Sequence, residues 1–141
     1  MQTSKSTQVI VLVVAIFLSF AGNSAAMYTR AEAYDYLKNV IIGTQITSYV
    51  AWGSVSTLAP NTQFSSGEQI VYSPTCKSWL FALDFNYDAF WGHDVELYFI
   101  DVNNLGNYSN VTVQSGVDQI QLEVVEYVPI DWEFALWGEQ D

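Results

Sequence analysis

Beyond Gly43, apolar side chains recur at every second position in one short run after another, and clusters of Gly, Asn, Pro and Ser separate the runs. A helix, which repeats about every 3.6 residues, cannot hold such a pattern on one side; a strand, whose successive side chains point to opposite faces, can. The residues that fill these positions are mostly β-branched or aromatic, the types that pack well on a pleated surface. Ile46-Ser48-Val50-Trp52 is the first such alternation, and residues 69–73 make a short strand after a polar loop from Asn61 to Gly67. Trp79-Phe81-Leu83-Phe85 and Val95-Leu97-Phe99 read as matching faces of two strands joined into a hairpin through residues 86–94. Val111 with Val113, then Ile120-Leu122-Val124, then Ile130-Trp132-Phe134-Leu136 continue the series. Pro129 stands between the last two and has no N–H for a ladder, so a kinked edge segment or a strand that leaves its sheet at Val128 is expected there.

One segment breaks the alternation. Thr29-Arg30-Ala31-Glu32 has the spacing of a capping box, and Gly43 stands where a helix C-cap belongs, which predicts a helix over 30–42. Ala33, Tyr36, Leu37, Val40 and Ile41 fall at helical spacing and are expected to face the rest of the fold. The predicted class is therefore α+β: one N-terminal helix packed on an antiparallel β-sheet or small β-sandwich of about six to eight strands. A pure β-sandwich with an appended helix is the rival.

Upstream, Lys5 precedes an apolar run from Val9 to Ala21, and Ser24-Ala25-Ala26 supplies the small residues a signal peptidase prefers. Spanning a bilayer takes ~20 apolar residues, more than this run offers. Residues 1–26 thus read as a cleaved secretory signal peptide with no stable membrane anchor, and 27–141 as a single acidic β-rich domain, secreted to the extracellular space or the cell surface. That domain sets three cations (Arg30, Lys38 and Lys77) against fifteen acids, a formal charge of −12. Such a surface repels nucleic acid and anionic lipid. Cys76, the one cysteine, cannot form an internal disulfide and reads as a buried apolar residue, with a free thiol or an intermolecular link as alternatives.

Chemistry-bearing residues crowd into the hairpin. Asp84, Asn86 and Asp88 place oxygen side chains at alternate positions, as a calcium loop begins. Ala89 and Val95, however, stand where that motif needs glycine and a bidentate glutamate, so an ordinary acidic loop is the simpler reading and calcium the only cofactor to weigh. Tyr87, Phe90 and Trp91 form an aromatic group of the kind on which sugars stack. Asp101 to Gly106 is a second turn rich in Asn and Asp, explained by side-chain turn bonds and positive φ. His93 is a candidate general base beside Asp94 or Asp101, with Cys76 as the nucleophile that stands out; its flanks match no catalytic signature, and a loop histidine bonded to backbone is the simpler role. Asn107 and Asn110 each open a glycosylation sequon and would coat that turn with glycan in a host with the machinery. Ile130, Trp132, Phe134 and Leu136 form an alternating segment able to complete its own sheet or to pair with another subunit's edge.

Ser78-Trp79-Leu80-Phe81 with Asp84, then Trp91-Gly92-His93, then Tyr98-Phe99-Ile100-Asp101 and Gly106 resemble a pattern found in uncharacterised bacterial secreted helix-plus-sheet domains, with Thr29 to Ala33 matching their opening helix loosely. The resemblance covers about Tyr28 to Gly106 and implies an accessory or propeptide-like module without catalysis of its own. Asp94 departs from the pattern, which usually has proline after the histidine, and no functional residue is carried over. The expected function is a secreted, non-enzymatic interaction or structural module that partners other subunits or itself through edge strands, as a fibre or surface-layer component would. The alternative is a soluble recognition domain that binds a glycan or a protease through the aromatic hairpin loop.

Overall fold

The structure, a computed structural model, describes residues 27–43, 48–88 and 92–129. Helix α1 spans Arg30–Tyr36 and continues without interruption into a π-helical turn, Leu37–Ile42. The predicted capping box closes it: the Thr29 hydroxyl accepts the Glu32 amide at 3.2 Å, and the Glu32 carboxylate accepts the Thr29 amide at 2.7 Å. Gly43 ends the helix at φ 69°, ψ −158°, a conformation open essentially to glycine alone. The inward face is Ala33, Tyr34 and Leu37, with Ile41 and Ile42 packed beside them. Val40, expected to face inward, is 61% exposed. The widened i→i+5 turn rotates the chain there, so the 3.6-residue wheel fails at that point.

Seven strands follow: β1 Tyr49–Ser54, β2 Gln63–Ser66, β3 Gln69–Tyr72, β4 Ser78–Asp84, β5 Val95–Asp101, β6 Asn104–Val113 and β7 Leu122–Val128. Five make an antiparallel sheet in the order β6-β5-β4-β1-β7, and β2 and β3 form a separate hairpin. The helix covers one face of the sheet over Tyr49, Ala51, Phe81, Leu83, Tyr98 and Ile100. The β2–β3 hairpin covers the other through Phe64 and Val71, against Leu80, Ala82, Leu97 and Phe99. The chain is thus α+β, with helix, sheet and hairpin as three layers.

Two covered faces explain why β4, SWLFALD, is apolar almost throughout. Each fully buried Leu or Phe on it is worth about 1.5–3 kcal/mol relative to exposure. They also correct the expected alignment of the hairpin. Phe81 pairs with Tyr98 and Leu83 with Glu96, so Val95, Leu97 and Phe99 share a face with Leu80 and Ala82, opposite Phe81 and Leu83. The stretch 61–67, expected as loop, contains β2. Its single large apolar residue, Phe64, is buried, and Ser66 is buried too because its hydroxyl donates to the Ser115 carbonyl at 2.9 Å. The second Asx-rich turn is shorter than expected: Asn104 already pairs with Asp101, and the Asp101 carboxylate accepts the Asn103 amide at 2.8 Å. Positive φ plays no part there; among described non-glycine residues it occurs at Asn61 and Gln119.

At the sheet edge, β7 carries a bulge. Trp52 pairs with Val124 and Ala51 with Glu126, which leaves Val125 as the extra residue, packed toward the helix. Pairing of β7 stops at Val128, as Pro129 requires. Glu126 projects onto the helix face, where it receives the Tyr34 hydroxyl and, at 2.5 Å, the Lys38 ammonium; the Tyr49 hydroxyl lies 3.4 Å away. Arg30 reaches Glu123 on the same strand and donates to the Ser54 carbonyl at 3.3 Å. Among the described residues no helix is long and apolar enough to cross a membrane.

Candidate functional site

The β2–β3 hairpin does not cover its whole face. It sits over the end of the sheet where Leu58 bridges to Ser78 and the Phe64 and Phe99 rings lie 6.1 Å apart. Toward the other end of β4 a cleft of about 550 Å³ stays open. Strand alternation puts Trp52, Ala82, Asp84 and Val95 on its floor, because Trp52 pairs with Ala82 and each lies an even number of residues from its neighbour on that face. The connection from β6 to β7 is its wall, with Val117 and Ile120, joined by Leu122 at the start of β7. That connection is braced rather than loose. The Asp118 amide donates to the Ser65 carbonyl at 2.8 Å, and the Ser65 amide donates to the Gln119 side chain at 3.0 Å.

The lining is mainly apolar; Gln114 and Ser115 add polar side chains, and at one end Asp84 meets His93. Asp84 is 7% exposed, and its two oxygens do different work. Oδ1 accepts the Asn86 amide at 2.9 Å and shapes the turn that leaves β4. Oδ2 lies 2.8 Å from His93 Nε2. A carboxylate this deep needs such partners, because taking it from water without them is costly. The pair also draws the two ends of the hairpin loop together, since Asp84 closes β4 and His93 stands two residues before β5.

The residues singled out in the sequence fall into different places. Of the proposed calcium ligands, Asp84 faces the cleft while Asn86 and Asp88 lie exposed in the turn, and among the described residues no three His, Cys, Asp or Glu side chains gather as a metal site would need. Of the aromatic group, Tyr87 packs edge-on against Tyr127 of β7, centroids 5.3 Å apart, which ties the loop to the sheet edge; Phe90 and Trp91 lie outside the described residues. So do Ile130, Trp132, Phe134 and Leu136, and the signal region 1–26. Asn107 and Asn110 are exposed on β6, the outermost strand, rather than on the turn before it, and Asn107 donates to Asp101 at 2.9 Å.

The imagined cooperation of His93 with Asp101 or Cys76 does not fit the register. Asp101 pairs with Ser78 at the far end of β4, and Cys76 lies beyond that end, near Asn107. Cys76 is half-buried. Burial, then the charge of Asp101, pushes its thiol pKa up, which keeps it protonated and a poor nucleophile. The sequence reading missed the cleft itself, with Trp52, Val117, Ile120 and Leu122, and the pairing of Asp84 with His93. One signal was available: Asp84 ends an apolar run on a strand covered on both faces, so it needs a partner, and the chain's one histidine follows nine residues on. In comparisons with known proteins the chain matches no family model, no curated sequence and no solved structure.

Proposed function

We propose that this chain is a secreted, non-enzymatic recognition domain whose ligand enters the cleft at the loop end of the β4–β5 hairpin. The observation that carries the reading is the cleft: about 550 Å³, lined mainly by apolar side chains, with the Asp84–His93 pair, Gln114 and Ser115 as its polar groups. Volume and lining both fall in the range of small-molecule sites, in which a few polar groups orient a ligand held mainly by apolar contact. Secretion rests on the apolar run and small-residue site before Met27. A recognition role also accords with the accessory-domain resemblance over about Tyr28 to Gly106.

A second reading has its own support. β6 and β7 border the sheet, and on β7 Val124 and Tyr127 are 58% and 57% exposed, so strand pairing with another copy is the alternative. One experiment separates the two. The protein is titrated with the neutral solvatochromic dye Nile red, beside a Gly116→Trp variant, and both samples are weighed by light scattering behind a sizing column. Gly116 lines the cleft with nothing within 4 Å of an added Cβ, so an indole is accommodated at the opening without a clash against the core. A monomer that binds one dye, and a variant that keeps its melting temperature but loses the dye, are the expected results. Equal binding by both proteins sinks the cleft reading, and a defined oligomer or filament favours edge assembly.

A further inference from the structure

Where charges lie around the cleft says what kind of ligand it takes. Two of the mature chain's cations are spent on the opposite, helix-covered face, Arg30 on Glu123 and Lys38 on Glu126. The third, Lys77, precedes Ser78 at the far end of β4, roughly 20 Å of strand from Asp84 at about 3.3 Å per residue. Around the cleft the charged groups are acids: Asp84 in its floor, exposed Asp94 next to His93, exposed Asp118 on the wall connection, and exposed Glu68 in the β2–β3 turn beside Ser115. His93 is the one titratable nitrogen among them. Asp84 also has bonding capacity left, because each carboxylate oxygen can accept more than one hydrogen bond, and among the described residues Oδ1 takes the Asn86 amide and Oδ2 meets His93.

We infer that the cleft binds a small organic ammonium ion: an aromatic or aliphatic body against Trp52, Val117, Ile120 and Leu122, with its charged nitrogen donating to Asp84. The inference rests on the cleft reading and adds the ligand's charge to it. A carboxylate or phosphate ligand meets repulsion from all four acids. A neutral alcohol of the same shape gains the apolar contact and a hydrogen bond to the carboxylate, whereas the ammonium adds to both the Coulomb attraction of a full positive charge in a largely water-excluded position. Asp84 is held for the purpose: the Asn86 amide and the His93 ring fix both oxygens, so little rotamer freedom is lost when the ligand arrives.

The test is displacement of Nile red at pH 7 by three probes that share one body: 4-phenylbutylamine, 4-phenylbutan-1-ol and 4-phenylbutanoate. The amine is expected to compete about ten-fold more strongly than the alcohol, because its positive charge adds Coulomb attraction to the hydrogen bond that both can make, and the carboxylate least. In Asp84→Asn the preference for amine over alcohol is expected to vanish while dye binding persists. A preference that survives in Asp84→Asn shows attraction by the general negative charge and overturns the assignment to this carboxylate. Should that variant not fold, the ranking on the unmodified protein still decides the ligand's charge, and loss of the amine preference in His93→Gln, which removes a partner that holds the carboxylate in place, decides the assignment to Asp84. Alcohol equal to amine, or dye bound with no probe displacing it, overturns the ammonium inference and leaves the cleft reading standing, whereas failure of the dye itself to bind removes both.

Discussion

Glu126→Gln tests how the helix is fastened to the sheet. Glu126 sits on edge strand β7 and takes bonds from two residues of the helical segment, Tyr34 and Lys38. Burial alone raises a carboxyl's pKa, yet the bonds from Lys38 and Tyr34 outweigh burial here and hold Glu126 below its ordinary 4.5. The same bond, offset in part by desolvation, raises Lys38. Glutamine keeps an oxygen for the Tyr34 hydroxyl and loses the charge. The Lys38 side chain is 43% exposed, so solvent screens that ion pair to about 0.2–1 kcal/mol. Turning the Tyr34 bond from charge-assisted to neutral roughly halves it, a loss of about 1 kcal/mol. The expected cost at neutral pH is about 1–2 kcal/mol, a shift of roughly 1 M in the urea midpoint for a domain of this size.

The sign with pH is fixed by the direction of the shift. A carboxylate whose folded pKa is depressed contributes stability above its unfolded pKa, here about 4.5, and loses it as pH falls through the folded value. The gap between parent and variant is therefore full at pH 7 and closes in acid. Urea unfolding followed by tryptophan fluorescence at pH 7 and pH 3 measures it, and the parent-minus-variant difference cancels the other acids. A Tyr34→Phe background should shrink the cost further, since the two residues share one bond. Equal midpoints at pH 7, or a gap unchanged at pH 3, would refute the reasoning.

Gly53→Ala places a Cβ 3.0 Å from Val125 Cγ1 and 3.2 Å from both Phe81 and Arg30 side-chain carbons, inside the contact between bulge, helix and central strand. Overpacking of that kind costs about 1–3 kcal/mol, read as a lower urea midpoint; a variant as stable as the parent would show that the bulge yields freely. In alkali, burial first and then their bonds to Glu126 and Glu96 raise the pKa values of Tyr34 and Tyr98 above the ordinary 10. The neutral phenols stabilise the fold fully below about pH 10 and progressively less above it, so the two should ionise only as the protein unfolds. Absorbance at 295 nm in Tyr→Phe variants at each position follows this, and ionisation near pH 10 with the fold intact would contradict it.

What the sequence makes legible here follows from how far each determinant reaches. The capping box at Thr29 and the glycine stop at Gly43 are fixed by atoms within a few residues, and both stand as read. The cores of β1, β3, β4 and β5 were legible for the same reason, since alternation is local, whereas β6 begins at Asn104, well before Val111, and Ile120 lies outside β7. Which face a strand presents was not, because it depends on register with a neighbour: Phe81 opposite Tyr98, rather than beside Leu97, is decided by the hairpin as a whole. β2 escaped notice because a strand with one large apolar residue has no period, and its burial is offset by the bond from Ser66 to a carbonyl nearly fifty residues on.

The cleft compounds these difficulties. Its floor comes from three strands that meet only through the order β5-β4-β1, and its wall from a connection held in place by β2. None of its apolar residues differs in kind from the core residues of the same strands. They line an opening because the β2–β3 hairpin is only four residues to a strand and covers part of the face. A hairpin longer by two residue pairs would reach further, by ~7 Å at strand rise, toward the cleft end of the sheet. The candidate site is therefore a consequence of a short covering element over a longer sheet, and Asp84 with His93 is the polar device at the end left uncovered.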